Sequence, residues 1–212
     1  MSQETPPRWD LESIYPGLDA EAFRRDLQRV REGLDALDAY LDAEGIGRDG
    51  PVPAEDAALA ERIGEVIART NALLTLHGTL RAYVHGIVTT DSYNTAARRM
   101  QSELEALEVR LERQEVRFRG WIGRVAEDPA RLDRALATPG AAGAHAFYVR
   151  ETAEQSRYLM PEAEEALAAE LSLSGSRAWE RLRGVVTSQL QAPFARDGRE
   201  ELLPITVVQG YR

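Results

Sequence analysis

The sequence predicts an all-α fold: a long antiparallel helical hairpin or bundle with a small β-hairpin near the C-terminus. Three observations predict it. The apolar residues Phe23, Leu27, Val30, Leu34, Leu37 and Leu41 recur in alternating steps of four and three, the spacing of a coiled-coil-like stripe on one helix face. Two longer stretches with helical periodicity follow, each separated from its neighbour by a short break. Near the end, Ala192–Ala195, then Arg196-Asp197-Gly198-Arg199, then Leu202–Val208 read as strand, Asp-Gly turn, and strand or loop. A hydrophobic share of 43% over 212 residues can support a real core.

Taken in order, residues 1–18 read as an extended N-terminal arm. They are rich in proline and aromatics, and Trp9, Ile14 and Tyr15 are expected to pack. Residues 19–127 read as the long-helix bundle. Asp19 is placed to cap the first helix, and Gly45, Gly47, Gly50 and Pro51 end it. Pro53 fits the first turn of the second helix, where its missing N–H costs nothing. That helix is apolar on more than one stripe from Ala68 to Val88, which places it centrally. Thr89–Ser92 reads as a break, with Asp91 or Ser92 as the next cap. The third helix holds Tyr93, Ala97, Met100, Leu104, Leu107, Leu111, Phe118, Ile122 and Val125 on one face, with charged residues on the others.

Residues 128–212 read as shorter helices plus the terminal β-hairpin. Asp128-Pro129 is a cap followed by proline at the first helical position. A helix carries His145, Phe147, Tyr148 and Val149. Pro161 opens another with Glu162, Glu164 and Glu165 in its first turn, where carboxylates favour the N-terminal dipole. Ser174-Gly175-Ser176 separates it from a last helix bearing Trp179, Leu182, Val185, Val186 and Leu190. Trp9, Trp121 and Trp179 read as core or interface anchors.

Composition excludes several classes of chemistry. The net charge of −9 speaks against a nucleic-acid surface and against docking on an anionic membrane. All 26 basic residues are arginine, so Schiff-base and lysine-nucleophile chemistry are out. With no cysteine there is neither a disulfide nor a thiolate metal site. The first residues carry no apolar signal core, and a cytoplasmic location is expected. A zinc peptidase helix needs His-Glu-x-x-His, which puts two imidazoles one turn apart with a glutamate to activate water. Only His77, His85 and His145 are present, none followed by glutamate. His77 and His85, two turns apart, read as ordinary helix residues. Tyr148, Arg150, Glu151, Arg157 and Tyr158 form a polar-aromatic stretch able to touch a peptide, and also able simply to pack. No catalytic, cofactor-binding or metal-ligating residue is assigned.

Two blocks resemble a known family. Trp9-Asp10-Leu11-Glu12-Ser13-Ile14-Tyr15-Pro16-Gly17 resembles the opening of oligoendopeptidase F proteins. Tyr158-Leu159-Met160-Pro161 with its acidic run, Leu171 to Gly175, Ala178-Trp179 and Thr187-Ser188-Gln189-Leu190 resembles a later part of the same N-terminal region. The resemblance implies a zinc-dependent endopeptidase that hydrolyses short oligopeptides in a channel between two lobes. It places zinc and the catalytic groups in a C-terminal catalytic domain, with none of them in this chain. The chain is then expected to be scaffold and channel wall, inactive alone, its partners that missing domain and, in the parent, oligopeptide substrates. Leu202, Leu203, Ile205, Val207 and Val208 form an apolar final segment suited to an interface or to self-association. The alternatives are a self-standing helical interaction module using the Phe23–Leu41 stripe and a catalytically dead family member.

Overall fold

The stripe of the first helix decides the architecture. In the computed structural model, which describes residues 10–196 and 199–210, helix α1 (Glu21–Ala43) buries all six stripe residues from Phe23 to Leu41. They face α2 (Asp56–Thr90) and α3 (Thr95–Val125). At about 1.5 Å per residue the latter two are roughly 50 Å long. Short connections make the three run up, down and up. Helix α2 is central, as its two-sided apolar pattern requires: it touches α1, α3, α4 (Pro129–Ala137) and the single-turn α5 (Ala141–Ala144).

The α1–α2 loop is shaped by glycine. Gly45 takes φ 62°, which suits a residue without Cβ. Its N–H donates to Asp42 O at 3.1 Å, and the Ile46 N–H donates to Leu41 O at 2.7 Å. This paired closure satisfies the last carbonyls of α1, while Leu41 and Ile46 are both fully buried beneath it. A Cβ on Gly50 would stand 1.8 Å from Gly45 O, so only glycine fits there. The loop is tied to α3 by Trp121, itself fully buried, whose indole N–H donates to Pro51 O at 3.1 Å.

At the other end of the bundle, Tyr15, Phe23 and Tyr83 form an aromatic cluster with ring centroids 5.2–5.8 Å apart. The Tyr15 hydroxyl donates to Asp26 Oδ2 at 3.0 Å. Burial first, then this bond and the Asp26 charge, push the Tyr15 hydroxyl up to about 12. Burial alone would raise Asp26, but hydrogen bonds from Tyr15 and Arg29 hold its carboxyl below the usual range.

Several local expectations are corrected. The described part of the N-terminal arm is a turn rather than extended chain, because the Ile14 and Tyr15 N–H groups both donate to Leu11 O. Tyr15 packs as expected, Ile14 is 45% exposed, and Trp9 lies outside the described residues. Asp19 is not the cap of α1: Ala20 holds that position with no side-chain bond. Pro53 precedes α2 rather than sitting in its first turn. Neither Asp91 nor Ser92 caps α3, a role filled by Asn94, which accepts from the Ala97 N–H at 3.0 Å. Tyr93 is 71% exposed and precedes α3 instead of lining its buried face. Asp128 and Pro129 open α4 as expected, Asp128 Oδ1 accepting from the Arg131 N–H at 3.0 Å.

Helix α6 (Ala146–Gln155) packs on α3 and ends in a 3₁₀ turn, Ser156–Tyr158. Helix α7 (Glu162–Ser174) lies along α3, and α8 (Ser176–Gln189) folds back on α7. Strands β1 (Gln191–Arg196) and β2 (Arg199–Pro204) pair antiparallel, Phe194 opposite Glu201; the expected Asp-Gly turn falls on Asp197 and Gly198, which lie outside the described residues. The expected second strand stops at Pro204: residues Ile205–Gln209 form a short helix, α9. Tyr211 and Arg212 also lie outside the described residues. The fold is thus mostly helical with one β-hairpin. Its core is confined to residues before Ala153, since none of the described residues after Thr152 is buried.

Candidate functional site

The three histidines do not meet. His77 is buried on α2, with its ring Nε2 donating to Leu104 O at 3.0 Å. His85 is exposed on the same helix, and His145 sits at the junction of α5 and α6. Among the described residues no three His, Asp or Glu side chains gather as metal ligands. No step through a metal is assigned to these residues.

Two other features stand out. The first is a cleft of about 300 Å³ between α2, α3 and the α5–α6 corner. Its floor is apolar: Val66 and Ile67 from α2 and Phe118 from α3 are all buried. Its walls are polar. Thr70 and Asn71 come from α2, while Glu115 and Arg119 come from successive turns of α3. His145 and Tyr148 close the third side. Burial pushes the Glu115 carboxyl up, opposed by the Arg119 charge and reinforced by Glu112 and Glu108. Burial likewise raises the Tyr148 hydroxyl. Tyr148 belongs to the polar-aromatic stretch noted in the sequence. Arg150, by contrast, turns away to Asp133 at 2.9 Å, Arg157 pairs with Glu154 at 3.0 Å, and Tyr158 is 80% exposed. The sequence did not single out Glu115 or Arg119. A signal existed: Glu115 falls on the Leu111, Phe118 and Ile122 stripe, where a carboxylate is out of pattern.

The second feature is an apolar surface on the last third of the chain. Leu167, Leu171, Trp179, Leu182, Val186 and Leu190 are each at least half exposed. Trp121 is thus a core anchor, whereas Trp179, 70% exposed, has no core to anchor among the described residues. What holds α8 to the bundle is charge. Arg177 pairs with Glu108 of α3 at 2.9 Å and with Glu112, and Arg181 pairs with Glu105. On α7, Glu170 pairs with Arg113 of α3. The Arg48 guanidinium donates to Met160 O at 3.1 Å, and Glu165 accepts from the Met160 N–H at 3.0 Å, fixing the start of α7.

Comparison with known proteins bears on the same part of the chain. The family model described as oligopeptidase F, for a peptidase M3 N-terminal region, matches residues 125–191, about a third of the sequence. The matched stretch runs from the end of α3 through α8 and contains the block from Tyr158 to Leu190. The opening block at Trp9–Gly17 lies outside it. No curated protein and no solved structure matches the chain.

Proposed function

We propose that this chain is the N-terminal lobe of a zinc-dependent endopeptidase for short oligopeptides, a reading supported by the match of residues 125–191 to the family model described as oligopeptidase F. In this reading it forms scaffold and channel wall in a cytoplasmic enzyme, and a separate catalytic region supplies the metal and the reacting groups.

The observation that carries the reading is the apolar ridge within and beside the matched segment. Six large apolar side chains from Leu167 to Leu190 stand open, and Leu202 and Val207 continue the series at 62% and 42% exposure. Large apolar side chains left exposed at helical spacing, as at Trp179, Leu182, Val186 and Leu190, mark an interface. A catalytic region covering it would turn an unfilled layer into a two-sided core. The self-standing coiled-coil module has less support, because the Phe23–Leu41 stripe it would offer is already buried within the bundle. No helix among the described residues is long and apolar enough to cross a membrane.

The test compares amide exchange in this chain with exchange in the longest natural polypeptide that contains it. The expected result is strong added protection across α8 and the β-hairpin in the longer form, with the bundle unchanged. Equal exchange in both forms would overturn the reading. Concentration-dependent protection in the isolated chain alone would instead assign the ridge to self-association.

A further inference from the structure

The cleft between α2 and α3 presents two charges that the protein leaves unbonded. Glu115 and Arg119 lie four residues apart, the order that favours an ion pair along a helix, yet no contact within ion-pair distance joins them. Their interaction is a charge–charge attraction along the α3 wall of the cleft. Among the described residues, the side chains of Thr70, Asn71, Glu115, Arg119 and His145 make no hydrogen bond to another protein group. Asn71 is exposed and the other four are half-buried, so all five keep access to solvent and to a ligand. Here they surround an apolar floor formed by Val66, Ile67 and Phe118.

The charge pattern selects the ligand. A simple carboxylate would gain Arg119 but meet repulsion from Glu115. A simple amine would gain Glu115 and meet Arg119. A ligand carrying one charge of each sign satisfies both, and an apolar side chain suits the floor. A volume of about 300 Å³ stands at the small end of ligand pockets, about 300–1,000 Å³, which limits the ligand to one or two residues.

We propose that this cleft binds an apolar zwitterion, a free α-amino acid or a dipeptide. Its ammonium lies on Glu115, its carboxylate on Arg119 and its side chain on Val66, Ile67 and Phe118. Asn71, His145 and Tyr148 are placed to complete its hydrogen bonds. The site is separate from the apolar ridge, and the proposal does not depend on the peptidase reading.

Calorimetric titration of the chain with L-leucine, L-leucyl-L-leucine, N-acetyl-L-leucine and L-leucinamide tests it. At least one of the first two should bind, and each capped compound, lacking one charge, should bind about tenfold weaker or worse. The tighter of the two zwitterions identifies the source. Glu115→Gln and Arg119→Gln should each lose about tenfold or more in affinity while circular dichroism confirms an intact helical fold. Absence of binding by both zwitterions at millimolar concentration would overturn the proposal. So would capped forms binding as well as free ones, or unchanged affinity in both variants. None of these readouts involves peptidase activity.

Discussion

Charge rather than apolar packing holds α8 to the bundle, and this can be broken selectively. Arg177 is 19% exposed and bonds two carboxylates, Glu108 and Glu112, which are 24% and 38% exposed. Arg181 is 34% exposed and its partner Glu105 only 14%. Charge-assisted bonds with this degree of burial contribute about 1.5–3 kcal/mol, against roughly 0.2–1 kcal/mol for open surface pairs. Glu108 would keep Arg81, 3.3 Å away, after Arg177 is lost. A discounted value of about 2 kcal/mol for Arg177→Ala and about 1 kcal/mol for Arg181→Ala follows. The double variant should therefore open α8 locally about 100-fold more often. Hydrogen exchange measured by mass spectrometry reads this directly. Amides of α8 should exchange about 100-fold faster, while amides around Leu34 and Leu80 in the buried bundle keep wild-type rates. Raising salt towards about 1 M, where the screening length falls to roughly 3 Å, should reproduce part of the effect in the wild type. The reasoning fails if α8 exchange is unchanged, or if α1 and α2 accelerate equally, since either result would mean that these pairs do not hold α8 as a separable unit.

Other expectations follow from the same contacts. Trp121→Phe removes the bond to Pro51 O and part of a fully buried ring, so it should cost about 2 kcal/mol and lower Tm by roughly 6 °C in a thermal melt. Tyr15→Phe removes the bond to Asp26 and should cost about 1 kcal/mol near neutral pH. Because Asp26 is held low, its contribution is present above the ordinary carboxylate value and is lost as pH falls through the lower folded one. Because Tyr15 is raised to about 12, its contribution is complete below about 10 and is lost as pH rises through that folded value. Chemical denaturation across pH should show the wild-type advantage narrowing at both ends. Glu115 is shifted the other way: burial raises it, so its ionised form destabilises the free fold. Glu115→Gln should therefore stabilise the chain at pH 7, with the gain fading as pH falls through the raised folded value and absent below the ordinary carboxylate range, while it weakens zwitterion binding.

The long helices were legible because their burial is one-sided and periodic. All six residues of the α1 stripe, read at steps of four and three, are buried. Caps were harder, because several residues between Thr89 and Asn94 can bond the backbone. The Thr89 and Thr90 hydroxyls bond back to carbonyls of α2 and accompany it to Thr90, so the next cap moves to Asn94. The segment after Leu202 misled for a related reason. A short apolar run does not separate strand from helix, and Pro204, with φ −55°, leads into a helical turn. The cleft was the least visible feature. Its residues come from positions 66–74, 115–119 and 145–148, which no local spacing links. Long-range ion pairs such as Arg177 with Glu108 are hidden in the same way, since any of many arginines could have met any of many acids.

The most direct test of the central claim is peptide hydrolysis. This chain and the longest natural polypeptide that contains it would be assayed with zinc on an internally quenched oligopeptide, with and without a chelator. The account predicts cleavage by the longer polypeptide that the chelator abolishes, and none by this chain. Cleavage by this chain alone, or none by a folded, zinc-loaded longer polypeptide across a panel of short peptides, would contradict it.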